Sequence, residues 1–363
     1  VVAVTRASVL IVLAACSFHT NNSTVTSDAP RPHDARTIDS PPDVYDPGCF
    51  GSGAFYVCLS GVPSGTITLP STLDTTQCMP AGGQTAMVGA TPVCAIAADI
   101  ITVDSCGVTG GLPLVLVATS DININTSLDA SSSIGNVGPG ASFTGCATTL
   151  GGAGGATGGG GAGGSFGSMG ANGGTGGGTP GGTAAPAAQS PVDTLRAGCP
   201  GGAGGGGGPA DGGPGGGAVY LIARGSINVN GVITVSGAGG VGGHSSKGGG
   251  GGGGSGGMIV VHAGQLQINS GGQVFANGGG GGGGANQIDG ANGANATQLG
   301  TAAPGGPDQS AGTCAGGDGA FQTSPATNVD GANGGGGGGG GVGVIRVLAG
   351  GTIPPGQVSP PPS

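Results

Sequence analysis

The chain has 363 residues, 95 of them glycine, and a net charge of −9. With 7 Lys and Arg in total there is no basic stripe to neutralise phosphates, so nucleic acid is not expected as a partner. The acidic residues are all Asp, Lys247 is the sole lysine, and charged residues make up 6%; the residues of exposed helix faces are scarce, so helices should be scarce too.

Residues 1–15 read as a signal peptide. Arg6 supplies a short positive start, and the apolar run Ala7 to Ala15 is too short to span a bilayer. The run ends in Leu13-Ala14-Ala15-Cys16, which resembles the lipobox of bacterial lipoproteins. The resemblance implies cleavage before Cys16 and acylation of its thiol and new amine. Ser17, standing where an Asp would signal retention, resembles the outer-membrane sorting pattern. An ordinary signal peptide followed by an incidental cysteine is the alternative. Residues 16–48 mix Asp and Pro with few apolar residues and predict a solvated tether reaching at most about 100 Å. The expected location is the outer membrane, lipid-anchored, facing the periplasm or the exterior.

Residues 49–146 predict a disulfide-bearing β domain. Short alternating runs recur at Thr66–Leu69, Ile100–Val103, Leu114–Val117 and Ile122–Asn125, punctuated by Gly, Pro, Ser and Asp. Setting Cys16 aside leaves eight disulfide candidates: Cys49, Cys58, Cys78, Cys94, Cys106, Cys146, Cys199 and Cys314. An even number in an exported chain predicts up to four bridges, of unspecified connectivity. One pairing is singled out, because Cys146 and Cys199 flank the first large glycine-rich segment. Eight unrelated buried thiols are the alternative. No C-x-x-C occurs, which disfavours zinc or thioredoxin-type chemistry.

Residues 147–350 predict a second, glycine-rich domain built on an internal repeat, and 351–363 a Pro-rich tail. Copies of the repeat begin at Gly111, Gly217, Gly257 and, decaying, Gly343. Each has an apolar strand ending in Ala (Ala118, Ala223, Ala263, Ala349). A short alternating strand follows (Ile122/Ile124, Ile227/Val229, Leu266/Ile268, Ile353), and a third in the first three copies (Leu128/Ala130, Ile233/Val235, Val274/Ala276). Such units bury little alone and gain a core by stacking. The predicted fold class is all-β: β-solenoid-like coils with glycine-rich insertions at one corner and almost no helix outside the signal peptide.

The insertions, near 151–216, 237–256 and 277–341, are open to two readings. Ordered glycine costs about 1–2 kcal/mol per residue in backbone entropy. Packed polyglycine II helices offset this by exchanging lateral backbone hydrogen bonds; loose loops are the alternative. The sequence Gly253-Gly254-Ser255-Gly256-Gly257 leading into a strand, Leu195–Gly202 and Gly217–Leu221 resemble the glycine-rich surface lipoproteins of myxobacterium-like bacteria. The tracts alone are similar to the polyglycine II domains of phage tail-fibre adhesins, which implies a rigid scaffold with recognition loops at its ends.

Catalytic, cofactor and metal sites are not expected. The G-x-S-x-G matches at Ser165 and Ser255 lack the strand–turn–helix context of a nucleophile elbow, and Ser246 replaces the glycine a phosphate loop needs before Lys247. His19, His33, His244 and His262 have no metal-binding spacing. The segments 289–295 and 330–334 have some calcium-loop flavour, but Asx turns are the preferred reading. The expected function is a non-enzymatic structural or adhesive surface module, partnered with the membrane through its lipid and with cells, matrix or surface polysaccharide. The alternative is a carbohydrate-binding or polysaccharide-acting β-helix. Against that stand an aromatic content of 3% and the lack of paired carboxylates. Ice binding is a third, weaker reading, since regular Thr ladders are not visible.

Overall fold

A computed structural model describes residues 48–78, 82–141, 145–146, 151–152, 157–208, 210–244, 247–307, 309, 314–348, 350, 353–354 and 356–363. Signal peptide, Cys16, tether, His19, His33 and Ala349 lie outside the described residues. Among the described residues there is no α-helix, and the chain is all-β.

The strands are β1 (Cys49–Ser52), β2 (Phe55–Cys58), β3 (Thr66–Thr68), β4 (Thr72–Asp74), β5 (Gln84–Val88), β6 (Thr91–Ala98), β7 (Ile100–Thr109), β8 (Leu114–Ala118), β9 (Ile122–Asp129), β10 (Ala218–Val229), β11 (Val232–Thr234), β12 (Met258–Ile268), β13 (Gln273–Phe275), β14 (Val344–Val347) and β15 (Val358–Ser359). β1 and β2 form an antiparallel hairpin; the other 13 belong to one sheet. Its pairs are parallel except β5–β6.

Three parallel ladders run through this sheet. The first stacks β6, β8, β10, β12 and β14, with Ala98, Ala118, Ala223 and Ala263 in one register. The second stacks β3, β7, β9 and the later halves of β10 and β12, aligning Ile67, Ile101, Ile122, Ile227 and Leu266. The third joins β4, β7, β9, β11, β13 and β15. Two corrections follow. The repeat has a further copy at 91–109, because Ala98, Ile101 and Val103 occupy the same registers as Ala118, Ile122 and Ile124. The boundary expected between 146 and 147 falls inside the stack, since β8 and β9 bond directly to β10.

Burial explains the sequence texture of each ladder. First-ladder strands are covered on both faces, so Leu114–Ala118 is buried at every position and reads as a continuous apolar run. One face packs Leu114, Leu116, Val219, Leu221, Ile259 and Val261 against Ile122, Ile124 and Ile227. The opposite face carries Val115, Tyr220 and Val260 under Phe50, Phe55 and Val57 of the β1–β2 hairpin, with Phe166 and Leu195. Second-ladder strands bury one face only, so Ile122 and Ile124 alternate with the partly exposed Asn123 and the exposed Asn125.

The glycine tracts leave after third-ladder strands and return into first-ladder strands, at Gly217, Gly257 and Gly343. They are hydrogen-bonded to one another. Each residue from Gly249 to Gly257 donates its N–H, in strict rotation, to three different segments. Gly249, Gly252 and Ser255 bond Gly205, Gly202 and Cys199; Gly250, Gly253 and Gly256 bond Gly335, Gly338 and Gly341; Gly251, Gly254 and Gly257 bond Val241, Ala238 and Val235. Its carbonyls accept from three further segments: Gly250 and Gly253 from Gly161 and Gly164, Gly251 and Gly254 from Gly282 and Gly279, Gly252 and Ser255 from Gly213 and Gly216. The tract thus has six neighbours and a three-residue period.

Glycine is needed here for space, not for an unusual backbone. None of the glycines from Gly248 to Gly257 has a left-handed φ. A Cβ on Gly252 would stand 2.0 Å from the carbonyl oxygen of Ala162, and one on Gly254 2.1 Å from that of Pro214.

Three disulfides form: Cys49–Cys58, Cys78–Cys94 and Cys146–Cys199. The last closes the first glycine-rich insertion, as its flanking position predicts. Among the described residues no fourth bridge forms, and Cys106 and Cys314 stand in different surroundings. Cys106 belongs to the strand core, where burial pushes its thiol up to about 11. Cys314 stands among the tracts, its carbonyl accepting the Gly284 N–H.

Candidate binding face

The most regular polar feature lies on the outward side of the second ladder. Inward Ile and Val alternate there with outward polar residues, and parallel registry stacks like upon like. Thr68, Thr102, Asn123, Asn228 and Gln267 form one rank across five successive strands. Asn228 Nδ2 donates to Asn123 Oδ1 at 2.9 Å. Beside it runs a second rank: Asn125 donates to Asp104 at 2.9 Å, Asn230 to Asn125 at 3.5 Å, and Asn269 to Asn230. Parallel strands fix the step between members at about 4.8 Å. Thr68, Asp104, Asn125, Asn230, Gln267 and Asn269 are exposed. The face is nearly uncharged and dense in donors and acceptors.

These ranks are the main feature that sequence reasoning passed over. The period-two pattern that marks Ile122/Ile124, Ile227/Val229 and Leu266/Ile268 as inward also marks Asn123, Asn228 and Gln267 as their outward neighbours. Aligning the copies on the inward residues would have revealed the stack.

The serines of the G-x-S-x-G matches are structural. Ser165 is buried and its Oγ accepts the Gly170 N–H at 2.9 Å. Ser255 is fully buried; its Oγ accepts the Cys199 N–H at 2.8 Å, while its own N–H donates to the Cys199 carbonyl.

The preferred Asx-turn reading of 289–295 and 330–334 is corrected in part. Asn292 Oδ1 accepts the Gly242 N–H and Asn295 Oδ1 the Gly239 N–H, each at 2.9 Å and about fifty residues away in sequence. Asp330 Oδ1 likewise accepts the Thr175 N–H at 2.8 Å. These oxygens take up N–H groups of other tracts, which local turn chemistry did not anticipate. His244 pairs with Asp289 at 3.4 Å on the surface.

His262 is half-buried, and burial lowers its pKa. Its Nδ1 lies 3.4 Å from the Tyr220 hydroxyl, which donates to the Phe55 carbonyl at 2.8 Å. Arg346 holds Val192 and Asp193 at 2.7 and 2.6 Å and lies over the Phe55 ring. Arg196 stacks on Phe166 at 4.1 Å beside the Cys146–Cys199 disulfide, and burial lowers its pKa. These groups tie the hairpin and segment 186–199 to the first ladder.

Neither a protein-family model, nor a curated protein, nor a solved structure matches the chain.

Proposed function

We propose that the chain is a non-enzymatic adhesive surface lipoprotein whose outward amide and hydroxyl ranks contact neutral polysaccharide on cells or matrix. The carrying observation is the pair of stacked ranks, five and four residues long, on one exposed strand face. An array of Thr, Asn and Gln with one Asp offers hydrogen bonds to hydroxyl groups and little to an ionic polymer. A regular array also gains by repetition, since many weak contacts act together on a polymeric partner.

The scaffold reading belongs with this. The three parallel ladders with shared register support a β-solenoid, one coil per repeat copy. The six-neighbour bonding and three-residue period of Gly249–Gly257 support polyglycine II packing as its stiffening layer. The Leu13–Cys16 motif supports an outer-membrane lipid anchor, with 16–48 as tether, in keeping with the likeness to glycine-rich surface lipoproteins.

Attachment of purified protein to cells and to insoluble neutral polysaccharides tests the adhesive reading. The triple change Asn125→Asp, Asn230→Asp and Asn269→Asp is expected to abolish it; undiminished attachment overturns the assignment to this face, and depolymerisation of the polysaccharide overturns the non-enzymatic reading. Labelled palmitate should enter the wild type and not Cys16→Ala. Amide exchange at Gly249–Gly257 should be as slow as in β10 and β12; fast exchange sinks the packed-tract reading.

A further inference from the structure

A cleft of about 350 Å³ lies where the third ladder meets the glycine layer. Its floor is the outward side of β9, β11 and β13, and its far wall is segment 295–297. Asp129, Thr234 and Phe275 stand in one register on the floor. Ser127, Ser131, Ser132, Ser133, Asn295 and Thr297 add further polar groups to the lining.

The polar groups are already set in place. Asp129 Oδ1 accepts the Ser131 N–H at 3.0 Å, which orients the carboxylate. Ser131 Oγ sits 2.9 Å from Thr234 Oγ1, which is 3.0 Å from Ser236 Oγ. Ser131 Oγ also accepts the Ser236 N–H at 2.9 Å. Phe275, 2% exposed, backs the cleft, with Val232 and Ala296 as the other apolar residues of the lining.

Charge selects the ligand class. Among the described residues no Lys, Arg or His lines the cleft, so a phosphate, sulfate or uronate would meet Asp129 uncompensated. Asp129 is the one carboxylate among neutral lining residues, too little anionic charge for a calcium site built from several carboxylates. A carboxylate accepts from two hydroxyls at once, and adjoining Ser and Thr hydroxyls donate or accept as required. A cleft of this volume with convergent polar groups and some apolar lining suits a small molecule.

We propose that this cleft is a subsite for one neutral sugar unit, with Asp129 accepting hydrogen bonds from two neighbouring sugar hydroxyls. The proposal rests on the polysaccharide-contact reading above and supplies it with a site of defined specificity. The exposed ranks provide extended contact, and the cleft selects the unit.

The test uses calorimetry and saturation-transfer NMR on the purified protein with cellotetraose, chitotetraose and mannotetraose, and with tetragalacturonate as the acidic counterpart. At least one neutral tetrasaccharide should bind, with tetragalacturonate at least tenfold weaker. Asp129→Ala should weaken the neutral ligand at least tenfold and Asp129→Asn less, both keeping the wild-type melting temperature. Equal binding of tetragalacturonate, unchanged affinity in Asp129→Ala, or no binding of any neutral tetrasaccharide overturns the subsite. Attachment to cells and insoluble polysaccharide is measured in parallel on the same samples. Intact attachment without tetrasaccharide binding sinks the subsite alone, whereas a wild type that attaches to neither sinks the parent reading too.

Discussion

The strand stack and the glycine layer solve one packing problem in opposite ways. Both lay chain segments side by side and join them by backbone hydrogen bonds. A strand bonds to neighbours in one plane and leaves two faces for side chains, so β8, β10 and β12 gain their stability from Leu, Ile and Val packed against the second ladder. The tract Gly249–Gly257 bonds in six directions and leaves no face. Each lateral bond contributes about 0.5–1.5 kcal/mol net, offsetting most of the roughly 1–2 kcal/mol needed to order a residue. The layer therefore depends on anchorage. Strands at both ends of the tracts supply it, and so does the Cys146–Cys199 bridge, which by loop length contributes about 4 kcal/mol. Side chains are the source of stability in one region and an obstruction in the other.

The sharpest way to break the comparison is to add atoms to the layer. The double change Gly252→Ala and Gly254→Ala places two methyl groups about 2 Å from carbonyl oxygens. A loss of about 2–6 kcal/mol is expected, by doubling the usual overpacking cost, read from urea unfolding. Gly300→Ala is the control: its added Cβ meets nothing within 4 Å, and stability should hold or rise slightly. If both variants behave alike, the tracts are not packed as described.

Removing atoms is the converse experiment in the stack. Leu116 is fully buried in the strand core, and Leu116→Ala should cost about 2–5 kcal/mol in the same assay. A smaller loss there than from the two added methyl groups would place the greater packing demand in the layer.

The rim of the layer should respond more mildly. Asn292→Ala and Asn295→Ala each remove an acceptor from a tract N–H. About 1 kcal/mol per site is expected, with faster amide exchange at Gly242 and Gly239 as the local signature.

The smallest effect concerns pH, at the covered outer side of the first ladder. Burial lowers the His262 pKa below its ordinary 6.5, so the unfolded chain takes up a proton more readily than the folded one. The stability linked to neutral His262 is complete above about pH 6.5 and is lost as pH falls through the lower folded value. The acid slope of the melting temperature should flatten in His262→Gln; an unchanged slope assigns it to other groups.

Much of the strand stack is legible in the sequence. Ala118, Ala223 and Ala263 align in the structure as the repeat predicts, because the period-two pattern and the terminal Ala are local properties of each copy. The copy at 91–109 escaped because Cys94, Pro92 and Ala residues dilute its apolar signal, and the polar ranks escaped because outward residues look like loop polarity until copies are overlaid. The cleft at Asp129 was not legible at all. Its two walls are 166 residues apart at Asp129 and Asn295, and nothing local connects them.

The sequence Gly248–Gly257 marks the limit. Composition by itself determined that these residues bury no side-chain core and that a strand begins at Met258. It left open whether the glycines bond to neighbouring tracts or to water, since a residue without a side chain carries no pattern naming its neighbours. Only the tertiary structure decided that. The partners of this one tract come from segments spread between Gly161 and Gly341, brought together because each insertion must return to the next strand of the same stack.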